Sequence, residues 1–275
     1  MKLIRFGALG KEQIGVQIEG KNYDVSAFGG DYNEAFFAED GLVRLAAYIQ
    51  GQGDSLAEIP AGTRLGSPIA RPSKLICIGL NYKDHAEETG AAIPKEPIIF
   101  MKSTTAIVGP QDQVMIPRGS QKTDWEVEFG IVIGQEASYV EEDEALDYVA
   151  GDVLHNDVSE REYQLERGGT WDKGKGCDTF APLGPYVTTK DEIPDINNVR
   201  LWLKVNCKVY QDGNTSNLIF SVPAIVSYVS QFMTLLPGDV ISTGTPAGVG
   251  LGFQPPIYLQ AGDVIELGAD YLGES

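Results

Sequence analysis

The segment Asp124–Gly134, "DWEVEFGIVIG", places three carboxylates at alternate positions and then loses all polarity. In a strand, residues i, i+2 and i+4 share a face, so Asp124, Glu126 and Glu128 point one way and Trp125, Val127 and Phe129 the other. Alternation alone describes a wet face on an antiparallel strand. The apolar run Gly130-Ile131-Val132-Ile133 argues for burial on both faces. Neighbouring carboxylates there repel one another and are costly to desolvate without a cation. A hard divalent ion such as Mg²⁺ or Mn²⁺ takes oxygen ligands and suits two or three carboxylates. A further ligand candidate is Asp157 in "GDVLHNDVSEREYQ", where a strand ends and a helix begins. Ser159 with Glu162 fits a capping box, which leaves Asp157 free of the capping task.

The two histidines of the chain are His85 and His155. His85 lies in "GLNYKDHAEETG", directly after the apolar stretch "LICIGL". If that segment is helical, His85 and Glu88 are i and i+3 on one face. A glutamate so placed orients the imidazole and stabilises its protonated form, which makes the pair a general base for water. The same spacing also describes an ordinary charged surface helix. His155 stands two residues before Asp157, and its position suggests no chemistry of its own.

Gly169–Lys175 matches the start of a phosphate loop, G-x-x-x-x-G-K, but Gly176 follows where that motif needs Ser or Thr. A helix precedes it where a strand is required, so nucleotide binding is not expected. A flexible glycine-rich loop carrying Lys175 beside a metal suits an anionic oxygen instead. Arg161 and Gln164 are i and i+3 on the preceding helix. "ISTGTPAGVGLG" reads as a tight loop whose N–H groups and Thr245 can approach a ligand, or as simple turning.

The elements that must carry these residues are mostly short strands. "KLIRFG" and "IGVQIEGKNYDVS" read as strands, the latter turning near Gly20-Lys21. Gly41–Ile49 has helical spacing of Leu42, Leu45, Ala46 and Ile49. "GSPIARPSK", with Pro68 and Pro72, reads as a linker, which divides the chain into a small domain over 1–70 and a larger one over 71–275. "SEREYQLERG" is expected to be a helix from Ser159, "LWLKVNCKVYQDG" a hairpin, and "PAIVSYVSQFMTLL" a helix with Pro223 in its first turn. Without regular βαβ alternation, the pattern predicts a strand-rich α+β fold rather than a doubly wound sheet.

The chain has 275 residues and a formal charge of −18. Such a field repels nucleic acid and anionic membranes. No apolar run approaches the length of a membrane span. Cys77, Cys177 and Cys207 are odd in number and have no C-x-x-C spacing, which fits a reducing cytoplasm without disulfides or structural zinc.

"IGLNYKDHAEE", "DWEVEFGIVIG", "HNDVSEREYQ", "GKGCDTFAPLGP" and "PGDVISTGTPAGVG" occur in this order, and together they resemble the fumarylacetoacetate hydrolase family from about Lys74 to the C-terminus. The first ~70 residues resemble the small N-terminal domain of longer bacterial members. The resemblance implies an α+β fold with a mixed β-roll, and a homodimer. It implies Glu126, Glu128 and Asp157 as ligands of Mg²⁺ or Mn²⁺, with Asp124 beside them. It implies His85 and Glu88 as the water-activating pair in a lid segment, and Lys175 near the substrate's carbonyl and carboxylate. Arg161, Gln164 and Thr245 match substrate-binding positions. The implied reaction is C–C hydrolysis of a small anionic 2,4-diketo acid, with pyruvate leaving as an enolate held by the metal and Lys175. "ERGGTWDKGKGCDTF" is most similar to members acting on diketo-deoxy sugar acids such as 2,4-diketo-3-deoxy-rhamnonate or -fuconate. Oxaloacetate decarboxylation and isomerisation or hydration of 2-hydroxydienoates occur on the same fold; an intact His85–Glu88 pair favours hydrolysis.

Overall fold

The structure is a computed structural model that describes residues 1–275, the side chain of Asp54 excepted. The chain opens with antiparallel strands β1 (Lys2–Phe6), β2 (Gln13–Ile18) and β3 (Lys21–Asp24), and β2 turns into β3 at Glu19 and Gly20, both at positive φ. Helix α1 (Glu34–Ala38) starts where the Asn33 side chain accepts from Phe36 N, and α2 (Gly41–Gln52) buries Leu45. Short strands β4 (Ala57–Glu58) and β5 (Leu65–Gly66) follow. Then come β6 (Leu75–Gly79), α3 (Lys83–Thr89), β7 (Ile98–Lys102), β8 (Ile107–Val108), β9 (Thr123–Asp124) and β10 (Val127–Ile133). Next are β11 (Val149–Asn156), β12 (Ser159–Glu160), α4 (Arg161–Leu165), α5 (Asp172–Lys175) and β13 (Ala181–Thr189). The chain closes with β14 (Arg200–Val205), β15 (Lys208–Asn214), α6 (Val222–Ser230), β16 (Val240–Ser242), β17 (Ile265–Ala269) and β18 (Gly273–Glu274).

The large sheet runs β4-β3-β2-β1-β13-β11-β10-β16-β6-β7, with β5 added to β1 and β8 to β13. It is mixed: β16 pairs with β6, and β8 with β13, in parallel, while the other pairs are antiparallel. A second, four-stranded sheet is ordered β15-β14-β17-β18. This is the strand-rich α+β architecture that the pattern implies. Strand β10 lies inside the large sheet with both edges paired, to β11 and β16, and its residues are buried on both faces. Phe129, Ile131 and Ile133 pack into one apolar core with Leu201, Leu203 and Val226. Val132 packs into the other with Val153 and Val187.

Three local expectations change. The linker at residues 66–74 does not interrupt the sheet. Lys2 pairs with Thr188 and Leu3 with Val187, and Leu3, Val16 and Leu45 share a core with Val132 and Val153. The N-terminal strands thus cover an edge that β13 would otherwise expose. Ser159 does not cap a helix. It is extended in β12, paired with Asp124, and Glu160 caps α4 by accepting from Glu162 N. Strand pairing holds Ser159 extended and delays the helix by two residues. Helix α6, started by Ser221 with Pro223 in its first turn, stops at Ser230, because Leu235 bridges Ala137 in an extended conformation.

Asp152 on β11 is 2% exposed, and its Oδ2 has no hydrogen-bond partner among the described residues. It lines a cavity with Leu146, Ile193 and Val222; Lys190 and Asp195 line the same cavity, and the Lys190 ammonium donates instead to Leu146 O at 3.1 Å. Burial pushes the Asp152 carboxyl up to about 8. Its unfolded value lies near 3.9, so the native state holds the extra proton between these limits and stability falls as pH rises through that window. The slope is about 1.4 kcal/mol per pH unit at most. Asp152→Asn is therefore expected to melt progressively higher than the wild type from pH 5 to pH 8 in thermal unfolding. A melting difference that does not change with pH would contradict this assignment.

Candidate active site

Glu126 lies in the two-residue link between β9 and β10, Glu128 lies on β10, and Asp157 follows the end of β11. The β10–β11 ladder pairs Val127 with Asn156 and Glu128 with His155, which brings Asp157 beside Glu126. Asp157 N donates to Glu126 O at 2.9 Å, and Glu126 N donates to Asn156 Oδ1 at 3.2 Å. All three carboxylates are buried, and one oxygen from each lies within 4.8 Å of the others. Trp125, Val127 and Phe129 fill the opposite core. The alternation of "WEVEF" thus separates an acidic side from an apolar one.

Interior cations stand among the acids. Lys175 Nζ donates to Glu126 Oε2 and to Asp157 Oδ2, each at 2.7 Å. Lys102 Nζ donates to Asp157 Oδ1 at 2.6 Å and to Val158 O at 2.9 Å. Arg161 Nε donates to Asp124 Oδ2 at 2.8 Å, and its Nη2 lies 2.7 Å from Glu126 Oε1 in an ionic contact without hydrogen-bond alignment. Burial alone would raise the Asp157 carboxyl, but Lys102 and Lys175 outweigh it and hold the group below the usual carboxylate range. Burial would likewise lower Lys175, yet Asp157 and Glu126 hold it up to about 12. Glu128 makes no ion pair among the described residues; burial, reinforced by Asp157 and Glu126, outweighs the pull of Lys175 and pushes it well above the ordinary value. Asp124, Glu126, Glu128 and Asp157 exceed Lys102, Lys175 and Arg161 by one charge. The residues therefore fit a hard divalent ion: the donors are all oxygen, Lys175 already holds a cation against two of them, and Glu128 lacks a counter-charge.

Glu128 is fixed from one side. Its Oε2 accepts from the Ser242 hydroxyl and from Gly244 N at 3.1 Å. Ser242 Oγ also lies 2.7 Å from His155 Nδ1. With the serine proton directed to Glu128, His155 must donate from Nδ1, and burial lowers the imidazole to about 3, so the ring is neutral. This accounts for His155, which sequence position alone did not. Lys102 was not anticipated either. A single lysine ending the apolar strand "PIIFMK" was the available signal.

Asp124 has a different task from its neighbours. It sits on β9, accepts from Arg161, and anchors the glycine-rich loop through Gly250 N at 2.7 Å and Leu251 N at 2.9 Å. Gln164 Oε1 accepts from Arg161 Nη1 at 3.0 Å, while its Nε2 has no acceptor among the described residues and the side chain lines the site cavity. Thr245 lines the cavity too, but its hydroxyl donates to Val127 O at 2.9 Å and accepts from Gln211 Nε2 at 2.7 Å. Lys175 is carried by helix α5 and is 2% exposed, not on a flexible loop, since α5 packs against β7 and β12 and its ammonium is committed to carboxylates.

His85 and Glu88 lie on α3, as their spacing requires, with Nδ1 3.5 Å from Oε2. The Gly248 amide donates to both Glu88 oxygens, at 2.9 and 3.1 Å, and so latches α3 to the "PAGVG" loop. Gly248 has φ +105, and a Cβ at Gly252 would lie 2.3 Å from Glu88 Cδ. These glycines allow the loop to receive the carboxylate. His85, Glu126, Glu128, Arg161, Gln164 and Lys175 all line one cavity of about 270 Å³.

Residues 74–275 match the family described as fumarylacetoacetate (FAA) hydrolase C-terminal. A protein of Burkholderia multivorans, designated provisionally as a hydrolase, is 50% identical over 276 residues, spanning 100% of this chain and 97% of that protein. The fumarylacetoacetate hydrolase of Exiguobacterium antarcticum superposes with a TM-score of 0.86 at 34% identity, covering 100% of this chain and 97% of that one. The maleylpyruvate hydrolase of Sphingobium sp. SYK-6, solved with manganese(II) and pyruvate, superposes with a TM-score of 0.81 at 30% identity, again over 100% and 97%. The chain belongs to the fumarylacetoacetate hydrolase family.

The latch generates a test. Gly252→Ala is expected to displace Glu88 and release α3, so amide exchange across Lys83–Thr89 should accelerate while β10 and β11 stay protected. Unchanged exchange in α3 would show that Gly252 does not seat the glutamate.

Proposed function

We propose that this chain is a hydrolase dependent on Mg²⁺ or Mn²⁺ that cleaves the C–C bond of a 2,4-diketo acid and releases pyruvate. The observation that carries this reading is a cluster of three carboxylates, two of which, Glu126 and Glu128, line the same cavity as His85, whose ring is backed by Glu88. Decarboxylation needs no activated water, so the pair favours hydrolysis. A divalent ion held by Glu126, Glu128 and Asp157 would supply Lewis-acid polarisation of the substrate's keto oxygen and hold charge on the departing fragment.

The protein's own groups account for the remaining work. Gln164 presents an unengaged amide N–H to the substrate's anionic end, and Arg161 holds that amide in position. Arg161 is held by ion pairs to Asp124 and Glu126 and donates to Gln164, so its part is positioning. His85, with Nδ1 toward Glu88, has Nε2 available to take a proton from water. The hydroxide oxygen bonds to the distal carbonyl carbon. The bond between that carbon and the methylene then breaks, and its electron pair goes to the pyruvyl fragment. The Lys175 ammonium stands where it stabilises that negative charge. The proton held by His85 returns to the methylene carbon, which gives pyruvate and the free acid of the acyl group.

The direct test is pyruvate release from acylpyruvates, diketo-deoxy sugar acids and oxaloacetate, with and without EDTA. Turnover of a diketo acid that EDTA abolishes and Mg²⁺ restores is expected. Glu126→Ala should lose metal binding by calorimetry together with turnover, and His85→Ala should lower kcat by roughly 10²–10⁴-fold with the metal still bound. EDTA-insensitive cleavage, or full activity in Glu126→Ala, would overturn the proposal.

A further inference from the structure

The site cavity changes character along β7. Residues 98, 100 and 102 share one face of that strand at steps of about 7 Å. Lys102 is bonded to Asp157 within the acidic cluster. The Phe100 ring is next, with its centroid 5.0 Å from Lys175 Nζ. Ile98 lies beyond it at the mouth, 37% exposed. Trp171 stands one turn before Lys175, since Lys175 N donates to Trp171 O, and its indole meets the Phe100 ring edge-on at 5.1 Å. The indole lies against β6 because residue 79 is glycine: a Cβ there would be 2.5 Å from Trp171 Cζ3. Leu165, 50% exposed, lines the same mouth. Polarity therefore falls off with distance from the carboxylates, and two large apolar side chains are left partly wet where the cavity opens.

Among the described residues that line the cavity, no unpaired Lys or Arg stands at that end. The Lys and Arg side chains lining the cavity are Lys175 and Arg161, and both are paired with carboxylates. The Thr89 hydroxyl donates to His85 O at 2.9 Å, and the Thr245 hydroxyl is engaged as described. A terminal carboxylate or a run of hydroxyls placed there would lose water and gain no partner. An alkyl or aryl group would cover Ile98, Phe100, Leu165 and Trp171 and be favoured by the area removed from water.

Resting on the reading of the site as one for 2,4-diketo acids, we infer that Trp171, Phe100, Ile98 and Leu165 form a subsite for an uncharged apolar acyl tail. The substrate class is an acylpyruvate with an alkyl or aryl group, in preference to one with a second carboxylate or a polyhydroxy chain. Trp171 and Gly79 set this specificity together, the glycine by making room for the indole.

The test compares kcat/KM of the wild type for benzoylpyruvate, pentanoylpyruvate, succinylpyruvate, a diketo-deoxy sugar acid and acetylpyruvate, all with Mg²⁺. The apolar substrates are expected to exceed the carboxylate and polyhydroxy ones by roughly tenfold or more. Trp171→Ala should lower the benzoylpyruvate-to-acetylpyruvate ratio by about tenfold, mainly through KM, and Trp171→Phe should recover most of it. Gly79→Ala should lower the same ratio by displacing the indole. Preference for the second carboxylate or the polyol, or a ratio unmoved in Trp171→Ala, would overturn the inference. Calorimetric binding of phenylpyruvate against pyruvate, neither of which can be hydrolysed in this way, separates the two proposals. If no diketo acid is cleaved but phenylpyruvate binds about tenfold tighter than pyruvate in a Trp171-dependent manner, the reaction is wrong and the subsite stands. Equal binding of the two refutes the subsite even where diketo acids are hydrolysed.

Discussion

Four carboxylates withdrawn from water in one small volume can coexist only if cations are withdrawn with them. Lys102, Lys175 and Arg161 meet that condition here, each within 2.8 Å of at least one acid. An isolated buried carboxylate would take up a proton instead. Glu128 illustrates the limit, since it lacks a cation and is pushed toward its neutral form. The site is thus one cation short, and the shortfall sits on an oxygen-rich cluster that suits a hard divalent ion. Such an ion would turn the balance positive by one.

The same constraint organises the surrounding chain. The cations come from three separate elements: β7 carries Lys102, α4 carries Arg161 and α5 carries Lys175. Their ion pairs fasten these elements to the ends of β10 and β11. Asp124 extends the network outward. By accepting from Arg161 and from the amides of Gly250 and Leu251, it ties the acidic cluster to the loop that also receives Glu88. Helix α3, the loop and the carboxylates are therefore connected by hydrogen bonds. Removing one partner of such a network leaves an uncompensated charge or acceptor inside the protein, which typically costs about 3–5 kcal/mol for a buried ion pair.

Beyond the cluster, the polarity of the cavity declines rapidly. Glu126, Glu128, Lys175 and Gln164 line one part of it, and Phe100, Trp171, Ile98 and Leu165 another. This division places the charged and the apolar side chains on the same short elements. Lys175 and Trp171 are one helical turn apart, and Lys102 and Ile98 are the two ends of β7.

What the sequence by itself determined is local and periodic. The alternation in "DWEVEFGIVIG" separates Glu126 and Glu128 from the core residues Trp125, Val127 and Phe129, because strand geometry has a period of two. The spacing of His85 and Glu88 puts both on one face of a short helix, because helix geometry has a period near 3.6. The order of the motifs identified the family, and the strand-rich pattern the fold class. Tertiary structure decided everything that depends on residues far apart in the chain. Lys102 and Asp157 are separated by 55 positions, Asp124 and Gly250 by 126, and Glu88 and Gly248 by 160. No local period encodes such pairs. For the same reason, β9–β12 pairing rather than helix propensity determined the conformation of Ser159, and the β1–β13 ladder carried the N-terminal strands across the linker into the main sheet. The solitary burial of Asp152 and the meeting of Trp171 with Gly79 belong to this second kind. Each depends on which surface a side chain reaches after the sheets have packed.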